Sequence, residues 1–263
     1  MTRSPARPLL FAALSTLSAG ALLTTAACSG GLAVRTRTAS SRTTGPAGTP
    51  TAHPSPAAAP ALTEAQARAA LITETDLGAP WVPTEGTAAW RDGILKASTA
   101  DPDCRRLLDA LYADEILGPP TATQAVTVLD DPDDGTQLRY QVGGRPRAEV
   151  DHTLAWLREL PRRCHEFTAT TTRSGPQRVQ VTDGALPPLG DAGQSLHITL
   201  TGATADGEPS TLTLDTVTVR LGDDALTVTD GGPGTVSQDT ARQAARAGTD
   251  RLTEVRKQGR VQV

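Results

Sequence analysis

Beyond residue 61 the chain switches between two apolar periodicities, and each switch marks a change of secondary structure. Spacings of three and four recur in four places. Leu62 to Ile72 predicts a first helix, opened by a capping box in which the Thr63 hydroxyl accepts from the third helical N–H and Gln66 reaches back. Asp76-Leu77-Gly78 closes a short extra turn. Asp101 and Pro102, as N-cap and first helical position, open a second helix whose Cys104, Leu107, Leu108, Leu111 and Tyr112 form one stripe. A third helix begins at Pro146, carries Val150, Leu154, Leu157 and Leu160, and is expected to end at Pro161, which has no N–H to donate. Ser237 caps the last. Its face of Ala241, Ala244, Ala245, Gly248, Leu252 and Val255 is small enough to approach a sheet closely.

The segments between read as strands. Thr87 to Ser98 is one candidate, and Ala122–Leu129 with Thr136–Val142 predicts a hairpin around Asp130–Gly135. Further candidates are the stretch from Cys164 that contains Phe167, Arg178–Val181, Ser195–Leu200, and the stretch holding Leu226 and Val228. Thr211–Leu221 alternates in two opposite phases, with Leu212 and Leu214 in one and Val217, Val219 and Leu221 in the other. That predicts a bulge or break near Asp215-Thr216. Together these elements predict a single α+β domain over residues 62–263, a mostly antiparallel sheet packed with helices.

What precedes it has no such pattern. Arg3 and Arg7, an apolar run from Leu9 to Leu23 and small Thr25-Ala26-Ala27 lead into Cys28, the layout of a bacterial lipoprotein signal peptide over residues 1–27. Cys28 would carry a thioether-linked diacylglycerol, and its freed amine can take a further acyl chain such as palmitate. At about 0.8 kcal/mol per buried methylene, two chains hold a domain at a membrane where one does not. Thr25 stands where such signals usually carry Leu, Val or Ile, and the alternative is an ordinary secretory signal cleaved near Ala27. Residues 28–61 have prolines at 46, 50, 54, 56 and 60 and no apolar face, which predicts a disordered Pro/Thr/Ala-rich linker. The expected location is the cell membrane, lipid-anchored on the extracytoplasmic face.

Composition then narrows the chemistry. With Cys28 lipidated, Cys104 and Cys164 are the two cysteines left of three, and an oxidising compartment makes them a disulfide; two buried free thiols are the alternative. All 29 acidic residues but only 20 of the 25 basic ones lie beyond residue 61, so the domain is acidic and nucleic acid is excluded as a partner. The acids between Asp130 and Asp134 do not fit a calcium loop, because Pro132 falls where a ligand is needed, and a hairpin turn explains them. No His-x-His or Cys-x-x-Cys spacing occurs, and neither metal nor cofactor is expected. No Gly-x-Ser-x-Gly elbow is present, His165 points away from its neighbour Cys164, and His197 reads as a surface histidine on a polar strand face. His152 and Trp156, at i and i+4 on the third helix away from Leu154 and Leu157, are the candidates to line a ligand site; a second packing face is the alternative. Trp81, Trp90 and Trp156 all fall in segments that can anchor helices to the sheet.

The run Leu71-Ile-Thr-Glu-Thr-Asp-Leu-Gly-Ala-Pro-Trp81, then Asp103-Cys104 opening a helix, Cys164 followed by Phe167, Pro188-Leu189-Gly190-Asp191 and late Val219-Arg220-Leu221-Gly222 resembles actinobacterial sensor-domain lipoproteins. These are similar to the extracellular sensor domain of PknH-type mycobacterial serine/threonine kinases. The resemblance covers residues 62–258 and implies a mixed α/β domain with a cleft for an unknown ligand and no catalysis. It also implies two disulfides in many members, where this chain can form one. The expectation is a non-enzymatic envelope lipoprotein that binds a small ligand or another envelope protein; a wall-associated hydrolase or a purely structural or interaction lipoprotein is the alternative. Cys28→Ala is expected to move the protein from the membrane fraction to the medium, and unchanged fractionation would refute the anchor.

Overall fold

In the computed structural model, residues 61–261 are described. The expectations for the signal peptide, Cys28 and most of the linker lie outside these residues. In chain order the elements are α1 (Glu64–Ala69), α2 (Glu74–Leu77), β1 (Val82–Pro83), a π-helical turn (Arg91–Leu95), β2 (Ala97–Ser98), α3 (Pro102–Ala113), β3 (Gln124–Asp131) and β4 (Thr136–Gly144). There follow α4 (Arg147–Arg163), β5 (Glu166–Thr171), β6 (Gly175–Asp183), β7 (Ala192–Ala203), β8 (Pro209–Leu221), β9 (Asp224–Pro233) and α5 (Gln238–Val261). The strands form one antiparallel sheet in the order β1-β3-β4-β9-β8-β7-β6-β5-β2. The α+β class expected from periodicity is the class found.

Each face of this sheet carries its own core. On one face α3, α4 and the π-helical turn bring Leu107, Leu111, Leu154, Leu157 and Leu95 against Val179, Val181, Leu196, Ile198, Leu212 and Leu214. On the other, α1 and α5 bring Ala67, Ala241, Ala244, Ala245 and Leu252 against Leu138, Tyr140, Val142, Val217, Val219, Leu226 and Val228. β8 is paired to both neighbours without interruption, so the expected bulge at Asp215-Thr216 is absent. The physical reason is that both phases are buried: even positions serve the α3–α4 face and odd positions the α5 face. Both cores lie between Leu62 and Val255, so residues 61–263 carry what an independent fold needs.

Three other expectations are corrected. α1 stops at Ala69, with Ala70 as its C-cap, although Ile72 is still buried beyond it. Pro161 lies inside α4, which continues to Arg163; the Cys164 N–H then closes on the Leu160 carbonyl at 2.7 Å. Thr87–Ser98 is a loop and a π-helical turn with a two-residue strand at its end, because Trp90 and Leu95 plug into the core while Arg91 turns toward α3.

Polar ties complete the packing. The Tyr140 hydroxyl donates to the Ala70 carbonyl at 3.1 Å, and a side chain at Gly248 would collide with the Tyr140 ring, so α5 needs glycine there to lie on the sheet. Arg251 of α5 holds both carboxylate oxygens of Asp76 at 2.9 and 2.8 Å. Burial works against the Asp76 charge, but the Thr73 N–H and Arg251 outweigh it and keep its pKa low. Cys104 and Cys164 are disulfide-bonded, joining the start of α3 to the end of α4 across a separation of 60 residues. A loop of that length stabilises by about 4 kcal/mol in the chain-entropy account. Replacing both cysteines by alanine is expected to remove about that much in urea unfolding, and a loss under about 1 kcal/mol would contradict the role assigned to the bond.

Candidate functional site

An apolar concavity lies where β1, the β3–β4 turn and the end of β9 meet the loop after β1. It measures about 890 Å³ and is lined by Val82, Pro83, Ala88, Ala89, Trp90, Pro132 and Pro233 together with Glu85, Asp130, Asp131, Thr136 and Gln137. Its floor is Trp90, 8% exposed, whose indole N–H donates to the Gly135 carbonyl at 3.4 Å. Trp90 reaches this depth because position 231 is glycine: a Cβ there would come within 2.2 Å of Leu214 and 3.3 Å of the Trp90 ring.

The loop from Thr84 to Ala88 forms one wall, and Gln137 holds it. The Gln137 amide donates to the Gly86 carbonyl at 2.9 Å and to Asp130 at 2.8 Å, and its oxygen accepts from the Ala88 N–H at 3.5 Å. Thr84 adds a hydroxyl donated to Asp130 at 2.8 Å. The turn beneath is built by its own acids. Asp131 accepts from the Asp133 N–H at 2.9 Å, Asp134 accepts from the Thr136 N–H at 2.9 Å, and Gly135 takes a φ of 73°. The residues read in sequence as a turn rather than a calcium loop do form that turn.

Beyond the wall, a second and more polar cleft of about 490 Å³ shares Gly86, Thr87 and Gln137 and contains Arg91, Asp92, Tyr112, Asp114 and Arg139. Its arginines are committed. Arg91 donates to the Leu111 and Tyr112 carbonyls at 3.2 and 3.0 Å and pairs with Asp114 at 2.8 Å, closing the C-terminus of α3. Arg139 lies 3.4 Å from the same carboxylate. The apolar cleft thus has three carboxylates and no Lys, Arg or His in its lining, and its potential favours cations over anions.

The residues singled out from sequence lie elsewhere. Trp156 packs beside the core under the Arg106 guanidinium, 3.9 Å from the ring centroid, and His152 is exposed one turn away; neither lines the cleft. His197 is half-buried rather than on the surface, its Nδ1 2.8 Å from Asp215. That hydrogen bond, against the opposing effect of burial, raises the His197 pKa above 6.5. Asp215 and Asp230 were missed by the sequence reading. Their signal was an acid at an inward position of a strand in which both phases are filled.

No family model matches the sequence, and no curated protein matches it. The chain is similar to a PknH-type sensor domain. The extracellular domain of PknH from Mycobacterium tuberculosis is 16% identical, with a TM-score of 0.46 over 74% of this chain and 99% of that one. A putative uncharacterized protein from Mycobacterium smegmatis, the Rv0999 ortholog, is 13% identical with a TM-score of 0.39 over 74% and 99%. No described helix is long and apolar enough to cross a membrane.

Gln137→Ala removes the bonds that hold the wall. It is expected to cost about 1–3 kcal/mol of stability and to speed cleavage after exposed Glu85 by a glutamate-specific protease. Unchanged cleavage would show that the wall stands without Gln137.

Proposed function

We propose that this chain is a lipid-anchored envelope protein whose folded part binds a small ligand in the Trp90 cleft without transforming it. The observation that carries the reading is the cleft itself: an apolar floor of ligand-binding size with a few convergent polar groups on its rim. Its lining offers hydroxyls from Thr87 and Thr136 but no nucleophile beside a base. Asp130 is held by Thr84 and Gln137, which weighs against a free carboxylate pair for hydrolysis. The ligand that fits has an apolar body and a neutral or cationic polar end. The leader and Cys28 support an extracytoplasmic location, and the Cys104–Cys164 bond suits an oxidising compartment. The membrane is then a partner through the anchor, with the small ligand as the second.

Octylamine, octanol and octanoate titrated into residues 61–263 test this by tryptophan fluorescence and thermal shift. The amine and alcohol are expected to bind and octanoate to bind at least tenfold more weakly, with Glu85→Gln narrowing the gap. Preference for octanoate would overturn the ligand class, and absence of binding by all three would overturn the cleft.

A further inference from the structure

A second polar constellation lies on the opposite face of the sheet, inside it. His197 of β7, Asp215 of β8 and Asp230 of β9 stand directly opposite one another in a single row across three strands. Asp215 is 2% exposed and Asp230 is 0% exposed. One Asp215 oxygen meets His197 at 2.8 Å, while the other and both oxygens of Asp230 have no hydrogen-bond partner among the described residues. The Gly231 N–H gives Asp230 slight help, short of a hydrogen bond.

Among the described residues, no cation pairs with Asp230. Its neighbour on β4 is Leu138, and α5 turns Ala241, Ala244 and Ala245 toward the sheet. The charged groups at the start of α5, Asp239 and Arg242, pair with each other, and the Asp239 side chain is 81% exposed. From the β3–β4 turn Asp131 and Asp134 add further negative charge, and His197 is engaged by Asp215. Carboxylates directly opposite on adjacent strands lie about 5 Å apart at their Cβ atoms. In a buried site two such charges cannot both persist, and a proton is the smallest cation that resolves the conflict.

We propose that Asp215 and Asp230 form a proton-binding site within the sheet, in which Asp215 is turned to His197 and the unpartnered Asp230 holds the proton. The consequence is a stability that depends on pH in one direction. Burial first, then Asp215 and the turn acids, raise the Asp230 pKa well above its ordinary 3.8, so the folded chain keeps a proton that the unfolded chain has released. Its contribution is full below the ordinary carboxylate range and is lost as pH rises toward the folded value. His197, raised above 6.5, acts with the same sign at higher pH. For each proton the folding equilibrium constant falls by up to about tenfold per pH unit inside its window.

The site is tested by urea unfolding of residues 61–263 between pH 5 and 8, with carbon-13 NMR titration of the aspartate carboxyls. Stability is expected to fall as pH rises, Asp230→Asn to flatten the slope, and His197→Gln to leave the Asp230 titration elevated. Asp215→Asn should move that titration down. An Asp230 carboxyl titrating in the ordinary aspartate range would overturn the proposal, and this reading on the unaltered protein serves even where Asp230→Asn does not fold. Stoichiometric metal in the purified protein, with a thermal midpoint lowered by chelator and no such effect in Asp230→Asn, would replace the proton with a metal ion and equally overturn it.

Discussion

The structure depends on β8 being buried on both sides. Thirteen residues long and central in the sheet, it gives Leu212 and Leu214 to the core beneath α3 and α4, and Val217 and Val219 to the core beneath α5. A fully buried aliphatic side chain contributes about 1.5–3 kcal/mol, so neither half of the strand can slip by one residue without exchanging apolar groups for threonine and aspartate. The two helical layers are offset along the sheet, and β8 is where one hands over to the other. With few aromatic residues in the chain, the disulfide ties α3 to α4 over the face of the sheet that receives Leu212 and Leu214.

That handover shapes both the acid row and the cleft. Where the apolar phase changes, Thr213, Asp215, Thr216 and Thr218 fill the interior positions, and Asp215 meets His197 on one side and Asp230 on the other. One residue past Asp230, Gly231 opens the other face enough for Trp90 to sink onto Leu214 and form the cleft floor. The cleft and the acid row therefore stand back to back across β9. Acids stand on both sides, Glu85 and Asp130 on one and Asp215 and Asp230 on the other.

Much of this was legible from periodicity, because helix stripes and hairpin turns are local. The capping box at Thr63, the Asp101 N-cap with Pro102, the β3–β4 turn and the small face of α5 all stand where the residues placed them. The failures share one cause, which is information held by neighbours distant in sequence. A strand with two apolar phases reads as broken until both of its faces are known to be covered. Thr87–Ser98 has strand-like composition, yet its shape follows from Arg91 reaching the last carbonyls of α3 and Trp90 reaching Gly231. His152 and Trp156 satisfied a helical spacing rule, while the cleft is assembled from a loop, a turn and a strand end that no single window contains.

Backbone hydrogen exchange along β8 tests the account most directly, because the two cores, the acid row and the cleft floor all rest on its continuity. The account predicts strong protection from Leu212 through Val219, with Asp215 and Thr216 as slow as their neighbours. Fast exchange at Asp215 and Thr216 between two protected halves would mean a broken strand and would contradict it.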